Sequence, residues 1–394
     1  DLNVMEVPLG VLNLEAIAEG GQNYNLDLSI KGGAADLDLT GTYVAAETGA
    51  EVDLDLQLNE LKMEAIEGFS DGAINTASGS VSGKMNVNGT IAEPKYDGDF
   101  RFDNAAFTVA TLNAPFRIDD EILKIDTDGV YFDDFKINDT KNNSFVVNGE
   151  VLTETLLNPK FNLQFEASNF NVLNSTVEDN ELYYGTASFD GTARLTGDLN
   201  LPKLDLNITV GSNTNVTYVI PEESLAIQER DGVVIFVNRE DPDDILTKSS
   251  EEESAIISGV DIRALISIGD GAIFNIVLDE QTEDNFQVKG EGDLNFNVYP
   301  NGRTTLSGRY EMSGGHYEMS LYGLVKRRFN IAPGSTISWA GDPLDANLDI
   351  RAIYKVETSA SALMATQTTG ADASTRGRFR QQLPFLVYLN VDGE

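Results

Sequence analysis

Apolar and polar residues alternate one for one along most of this chain. Tyr24, Leu26, Leu28 and Ile30 form one such series, and Val52, Leu54, Leu56 and Leu58 another. Val81, Met85, Val87 and Ile91, then Phe161, Leu163 and Phe165, then Leu204, Leu206, Ile208 and Val210 continue it. Ile262, Ala264, Ile266 and Ile268, followed by Leu294, Phe296 and Val298, carry it toward the C-terminal end. Asp, Asn, Gln, Thr and Lys stand between them, so the pattern predicts strands with one apolar and one wetted face, as in antiparallel sheet. Gly, Asn and Asp clusters supply the turns. Residues Glu60–Ile74 instead place Leu61, Ile66, Phe69 and Ile74 on one side of a helix. Two stretches interrupt the alternation, the acidic segment 239–254 and the Ala/Ser/Thr tract 358–376, and both read as loops or linkers. Strand pattern resumes at Pro384–Val391.

The series repeat. Gly83, Gly89 and Pro94 recur as Gly191, Gly197 and Pro202, each displaced by 108 residues. LDLTG ending at Gly41 matches FVVNG ending at Gly149 at the same interval, and VDLDLQL from Val52 matches FNLQFEA from Phe161 at 109. Gly302 and Gly308 give the Gly-x5-Gly half of the motif again, 111 residues on. Self-similarity at a fixed period points to stacked supersecondary units sharing one continuous core. The expected fold is therefore all-β, an elongated, repeat-built antiparallel sheet with few short helices.

Charge changes the picture at one end. The chain of 394 residues has a formal charge of −37, while residues 301–394 hold ten Lys/Arg against nine Asp/Glu, which leaves −38 on the first 300. Such a field repels phosphate backbones and argues against nucleic acid as a partner. It also marks the C-terminal quarter as the docking end. The basic triplet Lys326, Arg327 and Arg328 lies there, as a contact for a partner or for anionic headgroups or, equally, as edge protection for a strand.

Catalytic chemistry is thinly represented. There is one histidine and no cysteine, which removes thiol nucleophiles, disulfides and thiolate metal sites. His316 stands in SGGHYEM without a nucleophile elbow. Gly83-Lys84 is followed by Met85 and not by Ser or Thr, and Gly290-Glu291-Gly292 lacks a third glycine at dinucleotide spacing. The pairs Asp36/Asp38 and Asp53/Asp55 are two apart in alternating strands and so share a wetted face. Residues 241–253 are acidic but lack the spacing of a calcium loop. The reading is of a chain that is not an enzyme and uses neither cofactor nor metal.

What remains is the apolar stripe. Two such sheets packed face to face would make an ordinary sandwich core. Repeats of one unit, however, lengthen a single sheet, and if such a sheet curls into a trough it presents a continuous apolar groove suited to acyl chains. The expected groove-lining residues are Val52, Leu54, Leu56, Phe161, Leu163, Phe165, Leu204, Leu206, Ile208, Ile262, Ile266, Phe274, Ile276, Leu294 and Phe296.

Residues 286–356 add a resemblance. Gly308–Gly315 follows G-x-Y-x-h-x-x-G, where h is apolar, Tyr322–Phe329 reads YGLVKRRF, Gly334–Trp339 reads GSTISW and Gly341–Ile350 reads GDPLDANLDI. With VTYVIPEE at Val216–Glu223, ERDGVVIFV at Glu229–Val237 and RQQLPFLVYL at Arg380–Leu389, these resemble the C-terminal region of the TamB family in its Bacteroidetes-type form, within the AsmA-like superfamily. The resemblance implies a periplasmic protein anchored in the inner membrane, whose long sheet is curled into a U-shaped trough with an apolar groove, with phospholipid acyl chains and a TamA-like outer-membrane insertase as partners and membranes at both ends. Phospholipid transfer is the implied activity, with scaffolding of outer-membrane β-barrel assembly by strand addition as the rival. Asp1-Leu2-Asn3-Val4 reads as the middle of a strand, so the chain is expected to be a piece whose anchor lies elsewhere. The expected division is a β repeat at 1–111, a second at 112–238, the acidic loop 239–254, the C-terminal domain core 255–357, the linker 358–376 and further strands at 377–394.

Overall fold

A computed structural model describes residues 2–45, 49–154, 157–220, 259–321, 325–367, 369–370 and 372–393. The acidic segment 239–254 lies outside the described residues. The protein is all-β, with twenty-three strands among those residues. The chain divides into two compact units, one built on Asp1–Gly211 and the other on Ser267–Asn295 with Thr305–Glu394.

In the first unit alternation becomes a ladder of antiparallel neighbours in chain order. It runs through β1 (Leu2–Val4), β2 (Val7–Gly20), β3 (Asn23–Gly32), β4 (Ala35–Val44), β5 (Glu51–Lys62), β6 (Ile74–Thr90) and β7 (Glu93–Val109). Short strands β8 (Ala114–Ile118) and β9 (Ile122–Asp126) follow, then β10 (Gly129–Asn138), β11 (Ser144–Leu152), β12 (Lys160–Ser175), β13 (Tyr183–Asp198) and β14 (Pro202–Val210). β7 is long enough to pair with both short strands, β9 along Asp97–Arg101 and β8 along Ala105–Val109, and β10 closes over both.

The 108-residue period is visible as hairpins. Gly89 and Gly197 end β6 and β13 with φ of 98° and 90°, a region open to glycine, and face Pro94 and Pro202 at the start of the return strands. Proline fits there because it opens a strand. Gly83 and Gly191 serve a different purpose, close approach of the strands, since a Cβ on Gly191 would stand 2.3 Å from the Asn207 carbonyl oxygen. The third Gly-x5-Gly is a different object. Gly302 lies in the turn before β19 (Thr304–Leu321) and Gly308 inside that strand, the reverse of the first two copies.

The predicted helix is shorter than its pattern. α1 spans only Met63–Phe69, because Glu60–Lys62 continue β5 past a bulge between Leu58 and Leu61, and Ile74 opens β6. Ser70 ends it, its hydroxyl donating to the Glu67 carbonyl at 2.7 Å. Met63 and Ala65 are buried and place α1 against the apolar face, where Met63 joins Leu58, Ala77, Val81, Ala105, Ile118, Phe135, Val147 and Leu163 in the core.

The second unit opens with a parallel pair, β15 (Asn215–Val219) on β17 (Ile273–Asp279), and β17 then pairs antiparallel with β18 (Asp284–Val298). Backbone closeness at Gly290, Gly292, Gly308 and Gly315 joins β18 to β19. β19 repeats the split seen at β7. Its first half pairs with β21 (Ser335–Gly341), its second with β20 (Val325–Ile331), and β22 (Ala346–Ser359) closes over both. The starts of β19 and β20 stand 211 residues beyond those of β7 and β8 (304 against 93, 325 against 114), close to two periods. β23 (Gln382–Gly393) pairs with β22, and β16 (Asp261–Ile268) lies mostly among residues of the first unit. Among its described residues the Ala/Ser/Thr tract forms turns and the start of a short helix α2 (Ala373–Arg378), tied at its base where Ser359 and Ser361 donate to the Phe379 carbonyl at 2.7 and 2.9 Å.

Two buried polar side chains show opposite economies. Asp139, 2% exposed, accepts the amides of Lys141 and Asn143 on one oxygen and the Asn171 amide and Asn143 side chain on the other, pinning the β10–β11 turn to β12. Burial by itself would raise its pKa, but these hydrogen bonds outweigh it and hold the carboxyl below its usual value. Tyr310, 4% exposed, has a hydroxyl with no partner among the described residues, and burial, with the charge of Asp270, pushes its pKa up to about 12.

Asp139→Asn should lower the urea-unfolding free energy at neutral pH by about 1.5–3 kcal/mol, since a donor then meets the Asn171 N–H. The depressed folded pKa makes this contribution complete above the unfolded carboxyl value of about 3.9 and drains it as pH falls below. The gap between wild type and variant should therefore close as the pH falls below about 4; a gap independent of pH would contradict a charged Asp139. Tyr310→Phe should leave stability unchanged or raise it by about 1 kcal/mol, because an unpaired buried hydroxyl is removed. A clear loss would mean that the hydroxyl has a partner.

Candidate functional site

Strand register fixes which side chains meet on the apolar side of the first unit. Between β11 and β14 three rows cross the strands: Gly149, Leu163, Leu195, Leu204; then Val147, Phe165, Ala193, Leu206; then Phe145, Ala167, Gly191, Ile208. Small residues at 191 and 193 sit among large ones and leave a hollow. The result is a cavity of about 210 Å³ walled by Phe145, Phe165, Phe189, Leu204, Leu206 and Ile208, with Thr192 its single polar residue. Its floor is stiffened by aromatic contacts, Phe145 on Phe165 and on Phe170 at 5.5 Å each and Phe170 on Phe116 at 5.2 Å.

Such a space is smaller than the roughly 300–1,000 Å³ of pockets for drug-sized ligands and has almost no polar group to orient one. A flexible hydrocarbon segment is what it fits. Four of the residues expected to line a groove, Phe165, Leu204, Leu206 and Ile208, meet here. Phe145, Phe189 and Ala193 were not among those expected, although Phe145 lies on the alternation of FVVNGEV and Ala193 stands in register between Phe165 and Leu206.

The first repeat presents the same surface. Val52, Leu54 and Leu56 on β5 face Tyr43, Gly41 and Leu39 on β4 and Gly89, Val87 and Met85 on β6. All three are half-buried, whereas Asp53, Asp55 and Gln57 between them are exposed. Phe161, Ile262, Ile266, Phe274, Ile276, Leu294 and Phe296 are likewise half-buried. Leu163 is the exception, 7% exposed and part of the core beside Val147. In the first unit, among the described residues, the strands of this side contact their sheet neighbours, α1 and the 3-10 turn Ala110–Leu112, and β8 also packs on β12, where Phe116 stacks on Phe170.

The opposite face is polar and self-satisfied. Asn59 donates to Asp36 and Asp38 at 3.0 Å each, and Asn86 to Asp55 at 3.1 Å. Lys31 lies 2.9 Å from Asp38, whose carboxyl that hydrogen bond holds below its usual value. Among the described residues no three His, Asp or Glu side chains gather as metal ligands. His316, opposite Asn330, is held below its ordinary pKa by burial and then by the charge of Arg328.

The basic triplet does not form one patch. Lys326 pairs with Glu283, and Arg328 with Glu318 at 2.8 Å, on one side of β20. Arg327 points to the other side, its guanidinium 5.4 Å from the Tyr354 ring centroid.

No curated protein and no solved structure matches the chain. A family model described as the TamB C-terminal domain matches residues 133–394, which take in the cavity, the split strands of the second unit and β23. With more than half of its length matched, the chain belongs to the TamB family of the translocation and assembly module.

Proposed function

We propose that this chain carries phospholipid through the periplasm by holding acyl chains against the apolar side of its strands, between an inner membrane to which the whole protein is anchored and an outer membrane where a TamA-like insertase receives it. The observation that carries this reading is the half-burial of that side together with its hollow. Groove residues on strand after strand keep part of their surface open, and the cavity beside Leu206 is apolar, narrow and wall-to-wall hydrocarbon. Leaving such a surface wet costs about 25 cal/mol per Å². An acyl chain removes that cost, and the apolar rows recur from the first repeat to the second. The activity needs no bond to be made or broken and no cofactor.

Scaffolding by strand addition is the second reading, favoured by β23. Among the described residues it pairs with β22 alone, and Leu383, Leu386, Val387 and Tyr388 on it are exposed. Client strands would bind such an edge through backbone hydrogen bonds.

Two substitutions separate the readings. Ala193→Trp fills the cavity from its own wall, and Leu206→Asp places a charge where an open face can still hydrate it. Both should reduce transfer of a fluorescent phospholipid between vesicles several-fold while far-ultraviolet circular dichroism stays that of the wild type. Global unfolding of Leu206→Asp would mean a closed core, where an unpaired charge is not tolerated. Unchanged transfer by a folded Ala193→Trp would turn attention to the β23 edge.

A further inference from the structure

Arg327 is the one cation that the strands of the second unit carry on their apolar side among the described residues. Alternation on β20 sets Val325, Arg327, Phe329 and Ile331 on a common side, and Ile331, 4% exposed, fixes that side as the core side. Met319 and Tyr317 of β19 stand opposite Arg327 and Phe329. From β22, Tyr354 approaches both, its ring 5.5 Å from that of Phe329. The other strand cations, Lys289, Arg309, Lys326, Arg328, Arg351 and Lys355, are all exposed, on the opposite positions of their strands.

The surrounding carboxylates are committed elsewhere. Glu283 holds Lys326, Glu318 holds Arg328, and Asp284 accepts the Ser320 amide at 2.6 Å. No carboxylate among the described residues pairs with Arg327, whose charge rests on the Tyr354 π face alone. In a chain of net charge −37, a half-buried guanidinium left on apolar ground keeps its fork of five donors for an anion from outside.

We infer that Arg327 seats the phosphate of an anionic phospholipid whose acyl chains lie on the apolar side of the second unit, so that Phe329, Met319 and Tyr354 cover the glycerol end and the hydrocarbon continues toward Ile331 and Ile350. The inference rests on the lipid-carrying reading above and adds to it a preference for a negatively charged headgroup. A guanidinium fork meets phosphate through two parallel hydrogen bonds, which a zwitterionic headgroup partly neutralises with its own amine.

Calorimetric titration of the full chain below the micellar concentration tests this with four probes: dihexanoyl phosphatidylglycerol, dihexanoyl phosphatidylcholine, uncharged dihexanoylglycerol and inorganic phosphate. Phosphatidylglycerol should bind tightest. Arg327→Gln should weaken it about tenfold or more, the size of a lost charge-assisted hydrogen bond. Dihexanoylglycerol binding should stay as it was, Arg327→Lys should keep part of the preference, and Lys326→Gln, on the other side of the strand, should change nothing. Inorganic phosphate binding as tightly as the lipid would overturn the inference in favour of a plain anion site. Equal loss for the charged and uncharged probes would reduce Arg327 to a packing role and overturn it as well. If wild type binds all diacyl probes alike and Arg327→Gln changes none, headgroup recognition fails while lipid carrying stands. If wild type binds no diacyl probe, both fall together.

Discussion

The structure depends on one constraint: successive residues of a strand point to opposite sides, so a sheet built by strict alternation collects all its apolar surface on one side. In the first unit, among the described residues, α1, the 3-10 turn Ala110–Leu112 and the packing of β8 on β12 take up part of that surface. Part of it closes on itself, through α1 and the aromatic contacts around Phe116, Phe145 and Phe170. The rest stays half-open. The wetted side carries the opposite burden, a field of carboxylates steadied by Asn59 and Asn86 and by exposed ion pairs of the kind that adds at most about 1 kcal/mol each. Solubility and apolar capacity thus come from the same two-residue period.

Glycine turns this surface into a shaped one. At Gly191 the neighbouring strand's carbonyl occupies the space a Cβ would need, which lets the strands approach while leaving the row above them empty of side chain. With Ala193 beside it, the row from Phe145 to Ile208 dips, and the cavity follows. Gly83 stands at the same position one period earlier, with the Asp99 carbonyl oxygen 2.3 Å from where its Cβ would be. The repeat therefore copies a close approach of strands along with the hydrophobic pattern, and at Gly83 the Phe100 ring covers the glycine.

Much of this is legible in the sequence because alternation is a local signal. The strands around Val52, Phe161 and Leu204 and the hairpins at Gly89–Pro94 and Gly197–Pro202 follow directly from residue order. Features that depend on pairing are not local and escape such a reading. The split of β7 and β19 between two short strands needs knowledge of which strands share an edge. Leu163 is buried although its pattern equals that of Phe161 and Phe165, because it joins a core cluster with Val147, Phe135 and Ile118. The triplet at 326–328 differs again: three consecutive cations in a strand cannot form one patch, and the two-residue period alone separates Arg327 from its neighbours. α1 is shorter than its apolar spacing suggests because Glu60–Lys62 find strand partners in β4 and β6.

The central claim is that the open apolar side is occupied by lipid. Its most direct test is to purify the chain without detergent, extract it with organic solvent and identify what is released by mass spectrometry. The account predicts diacyl phospholipid, released only when the protein is denatured and in amounts that vary with the length of apolar side available. Protein that is monodisperse, soluble and free of phospholipid would contradict it, because the half-open side would then be stable against water alone.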